Sequence, residues 1–296
     1  MTTQRLNGVI RAWEQGRPAF AAFSQLDRRA AVEFSTSPYD AIIYEMEHNP
    51  WDINGLSDSL QYLLSRKQVL DAGSLAPTVT PICRIPPNGN EMDQAFAKQA
   101  LDRGVYGIVW PHITNVAEAM NAVSACRYPR PETAPFYQPA GIRGDAPTAA
   151  CRYWGLGQQE YYKRADVWPL NPDGEILVFL MIESVAGMNN LDEILRDVPG
   201  IGCVLIGEGD LSQNLGFPRQ YDHPVVHEAM ARIVATCKKH GVPVGHPHVT
   251  TKNVEQVLEE GYSFLMSAPV RTFKAIDMAR EIVGAKVEAA GPGSAY

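Results

Sequence analysis

Along this chain, short apolar runs alternate with stretches whose hydrophobic positions recur every three to four residues. The runs lie at 19–23, 41–44, 79–84, 106–110, 176–182, 202–206, 242–245 and 262–266. Several are apolar at every position, as in Ile176-Leu177-Val178-Phe179-Leu180-Met181-Ile182. A strand with one wet face would alternate, so unbroken runs predict strands covered on both faces, as in parallel sheets under helices. Between the runs, Leu56, Leu60, Leu63 and Leu64 share one helical face, and Val116, Met120 and Val123 share another. Val226, Met230, Ile233, Val234 and Cys237 form a third. It ends in Lys238-Lys239-His240-Gly241, cations where helix carbonyls gather negative charge and then a glycine stop. Val254, Val257 and Leu258 form a fourth, closed by Gly261. Strands interleaved with helices in this way predict an α/β fold, a single-domain (β/α)8 TIM barrel across 1–296. A doubly wound open sheet is the alternative, and no internal repeat decides between them.

Residues 129–175 break the rhythm. Proline, glycine and the rings of Phe136, Tyr137, Tyr153, Trp154, Tyr161, Tyr162 and Trp168 crowd there without helical period. Such a segment is expected to be a loop insertion acting as a lid or a subunit contact, or a loop packed on its own barrel. Composition narrows the class of protein. With 296 residues, 45% of them apolar and 20% charged, the chain excludes disorder and fibrous folds and needs no disulfide or metal staple. Lys+Arg 26 against Asp+Glu 33, net −7, argues against nucleic acid or an anionic membrane as a partner. The five cysteines, an odd number with no C-x-x-C pair, are expected to be reduced and structural. The N-terminus has no secretory h-region, and no apolar stretch approaches the ~20 residues needed to span a bilayer, so a cytoplasmic protein is expected.

In a barrel, chemistry sits at the C-terminal ends of the strands. There the runs meet Glu45, Glu47 and His48, then Arg84, His112, Glu183, Glu208 with Asp210, and His246 with His248. Each alone could be a surface charge or a helix cap. Ionisable groups at six strand ends instead point at one mouth. Glu183 and Asp210 close adjacent strands, and two hard oxygens with room for water suit Mg²⁺, Mn²⁺ or Co²⁺ better than a closed zinc site. His246-Pro247-His248 is a weaker second ligand set. None of the eight lysines closes a run, which leaves a Schiff-base mechanism without an amine. Gly207-Glu208-Gly209 lacks the third glycine of a dinucleotide fingerprint and no P-loop pattern occurs, so nucleotide binding is not expected.

Tyr44-Glu45-Met46-Glu47-His48-Asn49-Pro50 resembles the x-D-x-E-H-x-P signature of the HpcH/HpaI aldolase family of metal-dependent 2-oxo acid aldolases. Cys83-Arg84-Ile85-Pro86, Ala100-Leu101-Asp102-Arg103-Gly104, Gly141-Ile142-Arg143-Gly144, Ile182-Glu183-Ser184 and Ile206-Gly207-x-x-Asp210-Leu211-Ser212 follow in family order, from about residue 7 to 285. The resemblance implies a barrel in a homo-oligomer, usually a hexamer of paired trimers or domain-swapped dimers. It implies Glu183 and Asp210 as holders of a divalent ion and Arg84 as the grip on the pyruvate carboxylate, polarising its oxygen. It further implies His48 as the acid/base, Asp102 reaching a neighbouring subunit's site, and N–H groups around Gly209 and Asp210 binding the carboxylate.

Three positions depart from the family pattern. Glu45 stands where the family has Asp, with an arm long enough to orient the His48 imidazole. Met181 replaces a Gln two residues before the metal glutamate. Glu208-Gly209 replaces Pro-Ala before Asp210, adding a carboxylate beside the ion. The reaction implied is class II aldol formation or cleavage of a hydroxy-2-oxo acid from pyruvate and an aldehyde, through an enolate that the ion and Arg84 stabilise. Decarboxylation of an oxaloacetate-type 2-oxo acid at the same site is the rival within enzymes. A non-catalytic barrel that binds a metal or a 2-oxo acid is the rival from another class.

Overall fold

The computed structural model describes residues 4–86, 91–267 and 273–285. Its parallel strands are β1 (Ala19–Ser24), β2 (Ala41–Glu45), β3 (Thr80–Arg84), β4 (Gly107–Trp110), β5 (Val167–Trp168), β6 (Ile176–Ile182), β7 (Cys203–Ile206), β8 (Val244–Val249) and β9 (Phe264–Ser267). Strands β1 to β4 pair in order, β4 pairs with β6, and β9 returns to β1 with Ala21 opposite Met266. That closure makes an eight-stranded barrel and excludes the open sheet; β5 is a two-residue strand beside the start of β6. The eight predicted runs are the barrel strands, with β8 continuing past 245 to Val249.

Parity along each strand sorts two cores. Ala19, Ala21, Ala41, Ile43, Ile82, Val109, Leu177, Phe179, Met181, Cys203, Leu205, Phe264 and Met266 fill the barrel. Phe20, Ala22, Ile42, Tyr44, Ile108, Val178, Leu180, Val204 and Leu265 face the helices. Both sets are buried, which is why the runs do not alternate. Each large side chain so buried is worth about 1.5–3 kcal/mol, and a one-residue slip would exchange the two sets, so the register is fixed. Carried past the strand ends, the inward parity reaches Phe23, Glu45, Glu47, Arg84, Glu183 and Gly207. The interior phase therefore delivers the chemistry to the mouth.

The helix Gly8–Glu14 closes the other end, with Val9, Ile10 and Ala12 packed among the interior side chains. Its cap, Asn7, accepts N–H of Val9 at 3.0 Å and donates to the carbonyls of Tyr106 and Glu175. Glu175 accepts the N–H groups of Leu6 and Asn7 at 3.1 and 2.8 Å and pairs with Arg164 at 2.5 Å. Those donors are what make a fully buried carboxylate tolerable. The 129–175 segment is more ordered than its composition predicts, containing helices Thr148–Trp154 and Gln158–Arg164 as well as β5. Trp154 stacks on Tyr106 at 4.3 Å and donates to the Gly104 carbonyl at 2.8 Å, and Arg127 holds Asp166 at 2.7 Å. These contacts are with its own barrel, at the end where the strands begin. All five cysteines are unpaired, and among the described residues no helix is long and apolar enough to cross a membrane.

Candidate active site

Glu183 leaves β6 in the inward phase with its side chain 1% exposed. Its Oε1 accepts the His112 N–H at 2.5 Å. Asp210, on the helix Glu208–Asn214 that follows β7, is exposed. One ligand atom from each of His112, Glu183 and Asp210 lies within 4.8 Å of the other two, so the predicted acidic pair does meet. Gly207 allows the approach. Its φ of −88° is open to any residue, but a Cβ there would overlap the Glu183 carboxylate, standing 2.9 Å from Cδ and closer still to Oε2. Burial, with the Asp210 charge adding to it, pushes the Glu183 carboxyl up to about 7 against the opposing His112 N–H. A buried carboxylate that faces a second one is a donor set whose charge a divalent ion would neutralise.

Arg84, at the end of β3, is held from several sides. Its guanidinium pairs with Glu45, lies 2.9 Å from Glu47 Oε2, donates Nη1–H to Met181 Sδ at 3.6 Å and covers the Phe23 ring at 4.5 Å. Its Nε is a buried donor without a partner among the described residues. Glu45 does not orient the His48 imidazole. Its Oε1 accepts the backbone N–H groups of Glu47 and His48 at 2.8 and 3.2 Å, so the longer arm fixes the turn and Arg84 instead. The His48 ring is 64% exposed at the rim, with Nε2 3.7 Å from Glu47 Oε2. Glu47 Oε1 lies 3.6 Å from His112 Nε2, which makes Glu47 the bridge between the Arg84 and Glu183 sides. Burial pushes the Glu47 carboxyl up to about 7, opposed by Arg84 and reinforced by Glu183.

The sequence pattern puts Glu47 and His112 at strand ends and assigns neither a role. For Glu47 the signal was available, since 41, 43, 45 and 47 share one parity. For His112 it was not, because its neighbour Glu183 is 71 positions away.

The remaining candidates sort by position. Glu208 pairs with His248 Nδ1, and Tyr221 stacks on that imidazole at 5.2 Å. A Cβ on Gly209 would meet nothing nearer than Tyr221 Oη at 3.8 Å, so this side is open. His246 is not part of a ligand set with His248. His246 faces outward by the regular parity of β8, since Gly245 before it pairs with the interior Leu205 and Phe264 while His246 pairs with Leu265. There it packs edge-on to Tyr262 at 4.9 Å, and burial lowers its pKa to about 4. Asp102 lies at the far end of the barrel, at the close of the helix Gln94–Arg103, accepting from the buried Arg143 at 3.0 Å. Within one chain it does not join the mouth.

The sequence matches the HpcH/HpaI aldolase/citrate lyase family over residues 21–276. It is similar to the 2-dehydro-3,6-dideoxy-6-sulfogluconate aldolase of Pseudomonas putida, 31% identical over 230 residues that cover 76% of each chain. It is also similar to the hydroxypyruvate/pyruvate aldolase of Paraburkholderia phytofirmans, 27% identical over 252 residues, 85% of this chain and 86% of that one. Among solved structures, an HpcH/HpaI aldolase/citrate lyase family protein from Burkholderia cenocepacia superposes with a TM-score of 0.69 at 26% identity, covering 90% of this chain and 91% of that one. With a match running from β1 into the last described helix, over a barrel whose mouth gathers Arg84, Glu183 and Asp210, the chain belongs to the HpcH/HpaI aldolase/citrate lyase family.

Proposed function

We propose that this protein is a class II aldolase, a carbon–carbon lyase that forms or cleaves a hydroxy-2-oxo acid from pyruvate and an aldehyde. The observation that carries the reading is the convergence of Glu183 and Asp210 with the Arg84–Glu47 pair at one barrel mouth. Glu183 and Asp210 would hold a divalent ion, Mg²⁺, Mn²⁺ or Co²⁺, whose oxygen preference they match. When bound, the ion supplies Lewis-acid stabilisation of the negative charge that develops on the enolate.

The chain's own residues supply the rest. Arg84, immobilised by Glu45, Glu47 and Phe23, has its unpartnered Nε–H to offer an oxygen of the 2-oxo acid. A donor already oriented needs no reorganisation as charge develops. Backbone N–H groups around Gly209 and Asp210 bind the carboxylate, beside the carboxylate that Glu208 adds to this part of the mouth. His48, at the rim and near Glu47, takes the hydroxyl proton in cleavage and returns it in synthesis, directly or through water. Met181 keeps Arg84 in place by a sulfur contact where an amide would have offered a polar group. Asp102 acts in a neighbouring subunit's site, in a cytoplasmic homo-oligomer of hexameric type to which the aromatic 129–175 segment contributes contacts.

The test is exchange of pyruvate methyl protons into D₂O. Chelation should abolish it and Mn²⁺ should restore it in wild type but not in Glu183→Gln or Asp210→Asn. Full exchange in either variant after stripping would overturn the assignment.

A further inference from the structure

Resting on the reading of Glu183 and Asp210 as the metal-holding pair, we propose that His112 is a third protein ligand of the same ion. It would give the site a nitrogen donor and a preference for borderline ions such as Co²⁺ over Mg²⁺. The turn after β4 is built to place it. Ile113 N–H donates to the Met181 carbonyl at 3.2 Å, and His112 N–H donates to Glu183 Oε1 at 2.5 Å, so the turn is locked to β6 on both sides of residue 112. Between those anchors His112 takes φ 56°, one of four non-glycine residues in the left-handed region among the described residues. Glycine would adopt that backbone without strain, and asparagine and histidine are among the side chains enriched there. The turn sets the two imidazole nitrogens between Glu183 and Glu47.

Those nitrogens are not occupied as a salt bridge would have them. Nδ1 stands 3.5 Å from Glu183 Oε1 and Nε2 stands 3.6 Å from Glu47 Oε1, and neither makes a hydrogen bond among the described residues. A charge-assisted N–H···O bond would close to about 2.7–2.9 Å. Ligand atoms around one ion with bonds of about 2.1 Å stand roughly 3 to 4.2 Å apart. The three side chains, already within 4.8 Å of one another, need little movement to meet that spacing. Imidazole nitrogen suits Co²⁺, Ni²⁺ and Zn²⁺ better than Mg²⁺, which keeps to oxygen.

The experiment loads chelator-stripped protein with Mn²⁺ and records electron spin echo modulation from ¹⁴N, which reports a coordinated imidazole independently of turnover. Wild type should show the modulation. His112→Asn, chosen because asparagine accepts the left-handed backbone, should bind Mn²⁺ and lack it. Co²⁺ affinity should fall about 10-fold or more in His112→Asn while Mg²⁺ affinity changes less than about 3-fold. Modulation that persists in His112→Asn, or is missing from wild type carrying Mn²⁺, would overturn the proposal and leave the acidic pair standing. Mn²⁺ binding that is indifferent to Glu183→Gln would instead overturn the underlying metal site, and His112 with it. A melting curve of His112→Asn matching wild type shows that the lost signal is local.

Discussion

Replacing Gly207 with alanine puts one methyl group into space that the Glu183 carboxylate occupies. Backbone strain does not enter, because φ −88° and ψ 76° are open to alanine. The cost is steric. The new Cβ would stand 2.9 Å from Glu183 Cδ and closer still to Glu183 Cβ, inside the 3.0 Å that such contacts essentially never cross. Overpacking of this kind costs about 1–3 kcal/mol. If the carboxylate stays, the strain remains in the fold, and Tm falls by about 2–4 °C for each kcal/mol. If it swings away, it leaves the His112 N–H and Asp210, and the same energy reappears as weaker metal binding. At about 1.4 kcal/mol per factor of ten, that loss is roughly 5- to 150-fold. Ile182 is paired to Ile206 at the end of β6, which holds the backbone and with it Glu183 Cβ, so a turn of the carboxylate relieves only part of the overlap. We expect both, a lower Tm together with weaker metal binding. Calorimetric Mn²⁺ titration of stripped Gly207→Ala, beside thermal melts of the same samples, checks it. Wild-type affinity together with a wild-type Tm would refute the reasoning, since the strain would then have gone nowhere.

The raised Glu47 and Glu183 carboxyls, each near 7 and raised chiefly by burial, hold protons in the folded state that the unfolded chain releases. In metal-free protein their stabilisation is therefore complete below about pH 4.5 and is lost as pH rises through about 7. Melts between about pH 5 and 8 should fall more steeply for wild type than for Glu183→Gln, and equal slopes would count against the assignment. Arg84→Lys keeps the charge but loses the planar fork that spans Glu45, Glu47 and Met181, so kcat should drop about 10²-fold. A lysine variant with near wild-type turnover would reduce Arg84 to a packing role. Mixed, exchanging subunits of inactive Asp102→Asn and inactive His48→Ala should regain activity if sites are completed between chains, and an active monomer would rule that out.

What the sequence made legible followed from parity. The eight barrel strands could be read because both faces of each are buried, and Glu45, Arg84 and Glu183 because they continue the inward phase of their strands. Where parity fails, so does the reading. The irregularity in β8 falls after the outward-facing His246 and parts it from His248, which pairs with Glu208 at the mouth, and no count along His246-Pro247-His248 reveals that. His112 sits in a left-handed turn off any strand, and its significance comes from a residue on β6's continuation. Within 129–175, helices of seven residues are too short to display a period, and their stability comes from Tyr106, Gly104 and Asp102 outside the segment. The role of Glu45 was obscured for another reason: its carboxylate accepts the backbone N–H groups of Glu47 and His48 and pairs with Arg84, an arrangement that residue type and spacing do not distinguish from a hold on the ring.

The helix Gly8–Glu14 gives the barrel a floor, with Leu6 and Asn7 tied beneath it to Glu175. A vessel sealed below has one doorway, and depth then sets the order of traffic. Whatever Arg84 and the buried Glu183 hold lies beneath whatever meets the exposed His48 and His248 at the rim. In the aldolase proposed above, the inner reactant is expected to enter first and leave last, which makes turnover ordered and sequential. An unreactive analogue of the outer reactant should then inhibit uncompetitively against the inner one in initial-rate measurements.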